Sequence, residues 1–255
     1  GQENNFEVFY TRDATLINDE NLSQYQVFVQ MHLAPFDMTP SQQAALQRFI
    51  TLGNGWVGVH AAGLTGTQFK GPDVPYWMWF EKLMGDIIYS PHPKKQTGTI
   101  LVEDRSHPVT KNLPPSFSFY DEWYEFNRSP RPNVHVLATA DETSYKQEIP
   151  MGDHPMIWIN PNYDRAVYIG IGHDTTACTD PNFTILMRDA ILWAASPISD
   201  KSLHSPEFKA LVLTERDSQH EGFVVAALEW LNRLAADKNF EIRVINHANE
   251  INERI

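Results

Sequence analysis

The sequence predicts an α/β protein with a mainly parallel sheet, helices on both faces and an antiparallel excursion. Three observations predict it. Short apolar runs alternate with stretches of helical spacing at both ends of the chain. Between residues 97 and 171 several strand-like runs follow one another directly. The chain's end also repeats its beginning: Asn5-Phe6-Glu7-Val8 returns as Asn239-Phe240-Glu241-Ile242. Only the second copy is preceded by a strand pattern (208–214) and an amphipathic helix pattern (222–237). Strand, helix, strand is the opening unit of a parallel domain, and here it stands last. The chain therefore reads as circularly permuted, or as lending that unit to a second copy of itself in a domain swap.

The elements follow in order. Tyr25 to Val29 is an apolar strand. Thr39, Pro40 and Gln42 supply an N-cap, a proline at the first helical position and the capping-box partner. That helix carries Ala44, Leu46, Phe49 and Ile50, and Gly53 stops it. Trp56 to His60 is the next strand, and Tyr76 to Met84 an aromatic helix. Strands are expected at 97–102, 117–126, 134–139, 156–159 and 166–171. Asp180-Pro181 opens a helix buried through Phe183, Leu186, Met187, Ala190, Ile191 and Ala194. The core thus spans 6–195, a polar linker 196–207, the displaced unit 208–245 and a tail 246–255, in one domain.

A net charge of −12 over 255 residues argues against nucleic acid and against anionic membrane surfaces. No apolar run approaches the ~20 residues that span a bilayer, and no signal-peptide pattern is visible. The lone Cys178 excludes an intrachain disulfide and leaves cytoplasm and periplasm both open.

In parallel sheets, ligands bind at the strand carboxyl ends. Gly58-Val59-His60 and Gly170-Ile171-Gly172-His173 each end a strand with a histidine among small residues. Both read either as site residues converging on one crevice or as buried, backbone-bonded polar groups. Asp121 to Glu125 mixes acids and rings, which suits sugars: rings stack on apolar sugar faces and carboxylates accept hydroxyl bonds. On a strand, Glu122 and Tyr124 would share one face and Trp123 the other. The alternative is a solvated acidic edge. His92 and His154 sit in proline-stiffened loops, as metal ligands, acid/base groups or plain turns. Glu215 and His220 join the displaced strand to its helix, a place for hydroxyl-rich or anionic ligands or for capping. There is no phosphate loop, dinucleotide fingerprint, HExxH or CxxC. His60 stands where an elbow nucleophile would.

WVGVHAAG (56–63), SPHP (90–93), EDRSHPVTKNLP (103–114), DEWYEF (121–126), HPMIW (154–158), GIGHD (170–174) and ILWAA (191–195) together resemble the trehalose-utilisation (ThuA-like) family. The resemblance covers about 6–195, plus 209–244 in displaced order. It implies a flavodoxin-like sheet of the class I glutamine amidotransferase type. It also implies carbohydrate metabolism without glutaminase chemistry, because His60 replaces the elbow cysteine. It carries over His60, His92, Glu122, Tyr124, His154, His173 and His220 as site residues.

The expected function is an enzyme acting on a trehalose-like or oxidised disaccharide. His60, His173, Glu122 and Tyr124 are the catalytic candidates, and His92, Trp123, His154, Glu215 and His220 the substrate-binding ones. A divalent metal such as zinc is a further expectation, with His60, His173 and His154 as ligands. The competing readings are a non-catalytic carbohydrate-binding protein and an assembly module with an exchanged C-terminus. The expected partners are a small carbohydrate and a second copy of the chain.

Overall fold

A computed structural model describes residues 4, 6–70, 75–196, 209–214, 221–237 and 240–245. Residues 197–207 of the linker, Phe208, Glu215, His220 and the tail 246–255 therefore lie outside the described residues.

Seven strands form the main sheet: β1 (Val27–Met31), β2 (Gly55–Val59), β4 (Gln96–Val102), β5 (Ser116–Asp121), β7 (His135–Asp141), β8 (Pro155–Ile159) and β9 (Ala166–Ile169). Their order is β1-β2-β9-β8-β7-β4-β5. Two short strands, β3 (Tyr89–Ser90) and β6 (Glu125–Phe126), pair with each other outside it.

The sheet is mixed, which corrects the expectation of a mainly parallel one. β1 and β2 are parallel, as are β2 and β9. The pairs β9–β8, β8–β7, β7–β4 and β4–β5 are antiparallel. No long helix lies between β4 and β9 in the chain, and parallel neighbours need such a crossover.

Helices cover both faces. Helix α2 (Pro40–Thr51) and helix α3 (Met78–Leu83) pack Leu46, Ile50, Phe80 and Leu83 against Trp56 and Tyr168. Helix α4 (Pro181–Ala195) packs Leu186, Ala190 and Ala194 with Val57, Val59, Val167 and Ile169 on the opposite face. This division follows the strand period of two, which sends Trp56 one way and Val57 the other. The α2 N-terminus carries the expected capping box, Thr39 with Gln42, and Asp180 caps α4. Gly53, at φ 84°, ends α2 in the left-handed region. A short helix α1 (Asp19–Leu22), not expected from the sequence, precedes β1.

The displaced unit does not enter the main sheet, contrary to expectation. β10 (Lys209–Leu213) pairs in parallel with β11 (Glu241–Ile245), joined by α5 (Glu221–Asp237). This closed βαβ unit supplies β10 with one partner of its own. It docks through α5 on α2, where Arg48 Nη1 donates to Asn232 Oδ1 at 2.6 Å. The expected inner face of α5, from Val224 through Leu234, is half-buried, whereas Phe223 and Trp230 are exposed. Residues 6–11, which carry the first copy of the repeated pattern, form no strand, whereas the second copy forms β11.

Candidate functional site

The site lies at one end of the sheet. β1, β2 and β9 run in parallel and end there with His32, His60 and the segment Gly170–His173. The alternation of directions from β9 to β5 brings the β5 carboxyl end, Asp121, to the same edge. On a flat sheet β5 would stand about 19 Å from β9, four spacings away. Asp121 nevertheless accepts the N–H groups of Gly172 at 2.5 Å and His173 at 3.1 Å. The sheet is curled, and its curl closes the site.

Asp121 also accepts the N–H of Glu122 at 2.8 Å. One buried carboxylate thus pins the backbone of two site residues in loops that follow separate strands. Burial pushes its carboxyl up, against the opposing pull of those N–H groups. Gly172, at φ 121°, turns the chain so that consecutive N–H groups reach Asp121.

His60 is buried and lies at φ 52°; His32 lies at φ 57°. Two left-handed non-glycine residues therefore stand at neighbouring strand ends, and such strain gathers at functional positions. His60 Nδ1 lies 3.0 Å from the Gly170 carbonyl, to which it must donate. Its Nε2 is therefore a lone pair, aimed at His173 Nδ1 (3.1 Å) and Glu122 Oε2 (3.5 Å). His173 Nδ1 is 2.9 Å from Glu122 Oε2, and His92 Nε2 is 3.6 Å from the same oxygen. Tyr124 stacks on His60 at 4.0 Å. Burial lowers the His60 pKa to about 3, helped by repulsion from His32, His173 and His92. His60 is therefore a neutral acceptor near pH 7. Burial, reinforced by Glu122, pushes the Tyr124 hydroxyl up.

The structure brings together His60, His92, Glu122, Tyr124 and His173. It does so by a different route from the expected one. β5 stops at Asp121, and residues 122–124 form a loop before β6. The uninterrupted strand expected at 117–126 is thus broken at the site itself.

Two expected site residues do not face the crevice. Trp123 is buried in the core, stacked on Tyr145 at 4.8 Å and donating to the Gln96 carbonyl. His154 is buried with both ring nitrogens engaged. Its Nε2 donates to the Tyr124 carbonyl, and its Nδ1 accepts from Tyr145 Oη and lies 3.1 Å from Glu142. It therefore has no lone pair left for a metal or sugar, and it braces the site from behind.

Sequence reasoning missed His32 and Asp121. His32 follows the carboxyl end of β1, so the rule that singled out His60 would have found it. Its Nε2 donates to the Gly172 carbonyl at 2.7 Å. Asp121 stood in the acid-and-ring cluster, but its bond to the Gly172–His173 backbone depends on sheet curl, which no local pattern announces.

A small cleft of about 30 Å³, open to solvent, lies beside these loops. Pro35, Phe36, Leu64, Thr65, Tyr76 and Trp77 help line it. A row of rings leads from it to the histidines: Phe36–Phe69 at 4.7 Å, Phe69–Tyr89 at 5.6 Å, Tyr89–Tyr124 at 5.3 Å, then His60.

Fold and site together define an α/β protein with a histidine–carboxylate centre at the strand carboxyl ends. The chain belongs to the ThuA family, described as trehalose utilisation, whose model matches residues 1–194. A ThuA-like protein from Bacteroides uniformis is 30% identical, with a TM-score of 0.65 over 74% of this chain and 77% of its own. A second, from Parabacteroides merdae, is 18% identical, with a TM-score of 0.54 over 73% and 75%, and shares the fold. No curated protein matches the chain. No helix among the described residues is long and apolar enough to cross a membrane.

Proposed function

We propose that the chain is a carbohydrate-metabolism enzyme acting on a trehalose-like or oxidised disaccharide by acid–base chemistry at Glu122, His173 and His60. The observation that carries this reading is the short triangle among their polar atoms, beside a row of aromatic rings. Rings bind the apolar faces of sugars, and a carboxylate orients their hydroxyls. Glu122 and His173 are part-exposed and meet the substrate, whereas His60 stands behind them. Glu122 exchanges a proton with the substrate. His173 Nδ1–H is the proton held between Glu122 and the His60 lone pair. His60 stays neutral, so its Nε2 lone pair accepts the His173 Nδ1–H hydrogen bond without adding a standing charge.

Assembly as a homodimer is part of the same proposal. β1 has a strand partner on one side only among the described residues, and so has β10. An unpaired edge is a template for another strand. We assign the two open edges to each other across two copies.

The functional test is product analysis. The chain is incubated with trehalose, other disaccharides and their keto derivatives, and products are followed by NMR. Turnover of at least one sugar, lost in Glu122→Gln, supports the reading. Saturable binding without turnover would make this a carbohydrate-binding protein instead.

A further inference from the structure

We infer that His60 Nε2, His173 Nδ1 and Glu122 Oε2 form a binding site for one divalent first-row transition cation. It stands on side-chain geometry alone, and a bound cation would take the place of the His173 Nδ1 proton in the acid–base reading.

The first argument is a count of protons. His60 Nδ1 donates to the Gly170 carbonyl and His92 Nδ1 to the Pro93 carbonyl at 2.8 Å. The neutral His60 ring therefore presents a bare Nε2 toward Glu122 Oε2 at 3.5 Å, and His92 Nε2 lies 3.6 Å from the same oxygen. A carboxylate oxygen adds further lone pairs. Two acceptors, His60 Nε2 and Glu122 Oε2, thus converge on His173 Nδ1, whose proton lies between them. That proton satisfies both acceptors in the metal-free chain, and a cation can take its place among the same three atoms.

The second argument is distance. The three atoms are 3.1, 3.5 and 2.9 Å apart. Metal–ligand bonds of about 2.0–2.1 Å in a tetrahedron set ligand atoms about 3.3 Å apart. Octahedral angles at slightly longer bonds give about 3.0 Å. The triangle spans both values, so a cation fits without moving the backbone. Imidazole ligands favour zinc, copper, iron or nickel over magnesium or calcium.

The third argument is the surrounding support. A ligating histidine characteristically donates its other N–H to a carbonyl, as His60 does to Gly170. Asp121 fixes the backbone of both Glu122 and His173. His173 and Glu122 reach solvent, leaving the cation's remaining positions open to a ligand. His154, a ligand expected from the sequence, is committed elsewhere and is replaced in the set by Glu122.

The test uses the full chain stripped with chelator and titrated calorimetrically with Zn²⁺, Mn²⁺, anaerobic Fe²⁺, Mg²⁺ and Ca²⁺. One equivalent of a transition cation should bind, and Mg²⁺ and Ca²⁺ should bind at least tenfold more weakly. Glu122→Gln and His173→Ala should each weaken binding about 100-fold or more. Both positions are part-exposed, so the metal-free variants should keep the parent melting temperature. Absence of stoichiometric binding, or binding unaltered in both variants, would overturn the inference. Turnover is never read, so the sugar proposal stands or falls separately.

Discussion

Asp121 and His173 are joined at 3.1 Å although three strands separate β5 from β9 in the sheet. The bond makes one carboxylate the clasp of the site. Asp121→Asn keeps the shape but turns an N–H₂ toward backbone donors. The variant should lose about 1–3 kcal/mol in urea unfolding, the cost of unsatisfied buried groups. Affinity for a cation or sugar should fall with it, because His173 and Glu122 are released. A variant as stable and as active as the parent would remove Asp121 from this role.

His154 and Trp123 are predicted to be structural. His154→Ala should cost about 2–4 kcal/mol by leaving a cavity and orphaned partners, and Trp123→Ala about 3–5 kcal/mol. Where the folded variants persist, their Km and kcat should stay within a few-fold of the parent. A stable His154→Ala variant with no turnover would return His154 to the chemistry.

Most strand and helix positions were legible because apolar periodicity and capping residues are local. Thr39, Pro40 and Gln42 announce α2, and Asp180-Pro181 announces α4. The direction of β4, β5, β7 and β8 was not legible, because pairing partners are chosen by sheet-wide packing. The site was half legible. His60 and His173 sit at strand ends that one rule selects, and Glu122 with Tyr124 stood out by composition. That Trp123 turns inward depends on the break after Asp121, which no spacing announces. The C-terminal unit looked like a missing central strand because its pattern is that of an opening βαβ unit. In the fold it is satisfied by its own β11.

His60 sets a pH dependence. Its folded pKa, about 3, lies below the unfolded value near 6.5. Between these values the unfolded chain binds a proton that the native chain refuses. Stability therefore falls as pH drops through this window, by up to ~1.4 kcal/mol per pH unit from this group, and the His60 slope vanishes above about pH 8. Chemical unfolding in chelator at pH 4.5, 5.5 and 6.5 should show a steeper fall for the parent than for His60→Gln. Equal slopes would mean that His60 is charged in the native protein.

The open edges of β1 and β10 predict self-association. Sedimentation should give a dimer, and Leu211→Pro, which removes a ladder donor from β10, should give a monomer. A monomeric parent across micromolar concentrations would exclude the paired edges.

The central claim is that Glu122, His173 and His60 act on a sugar as one unit. It is tested most directly by kcat on the best disaccharide substrate, measured beside the melting temperature, for the parent and Glu122→Gln. The account predicts a fall in kcat of about 100-fold or more, in the range of lost acid–base catalysis, with the melting temperature nearly unchanged. Full turnover by Glu122→Gln would contradict it.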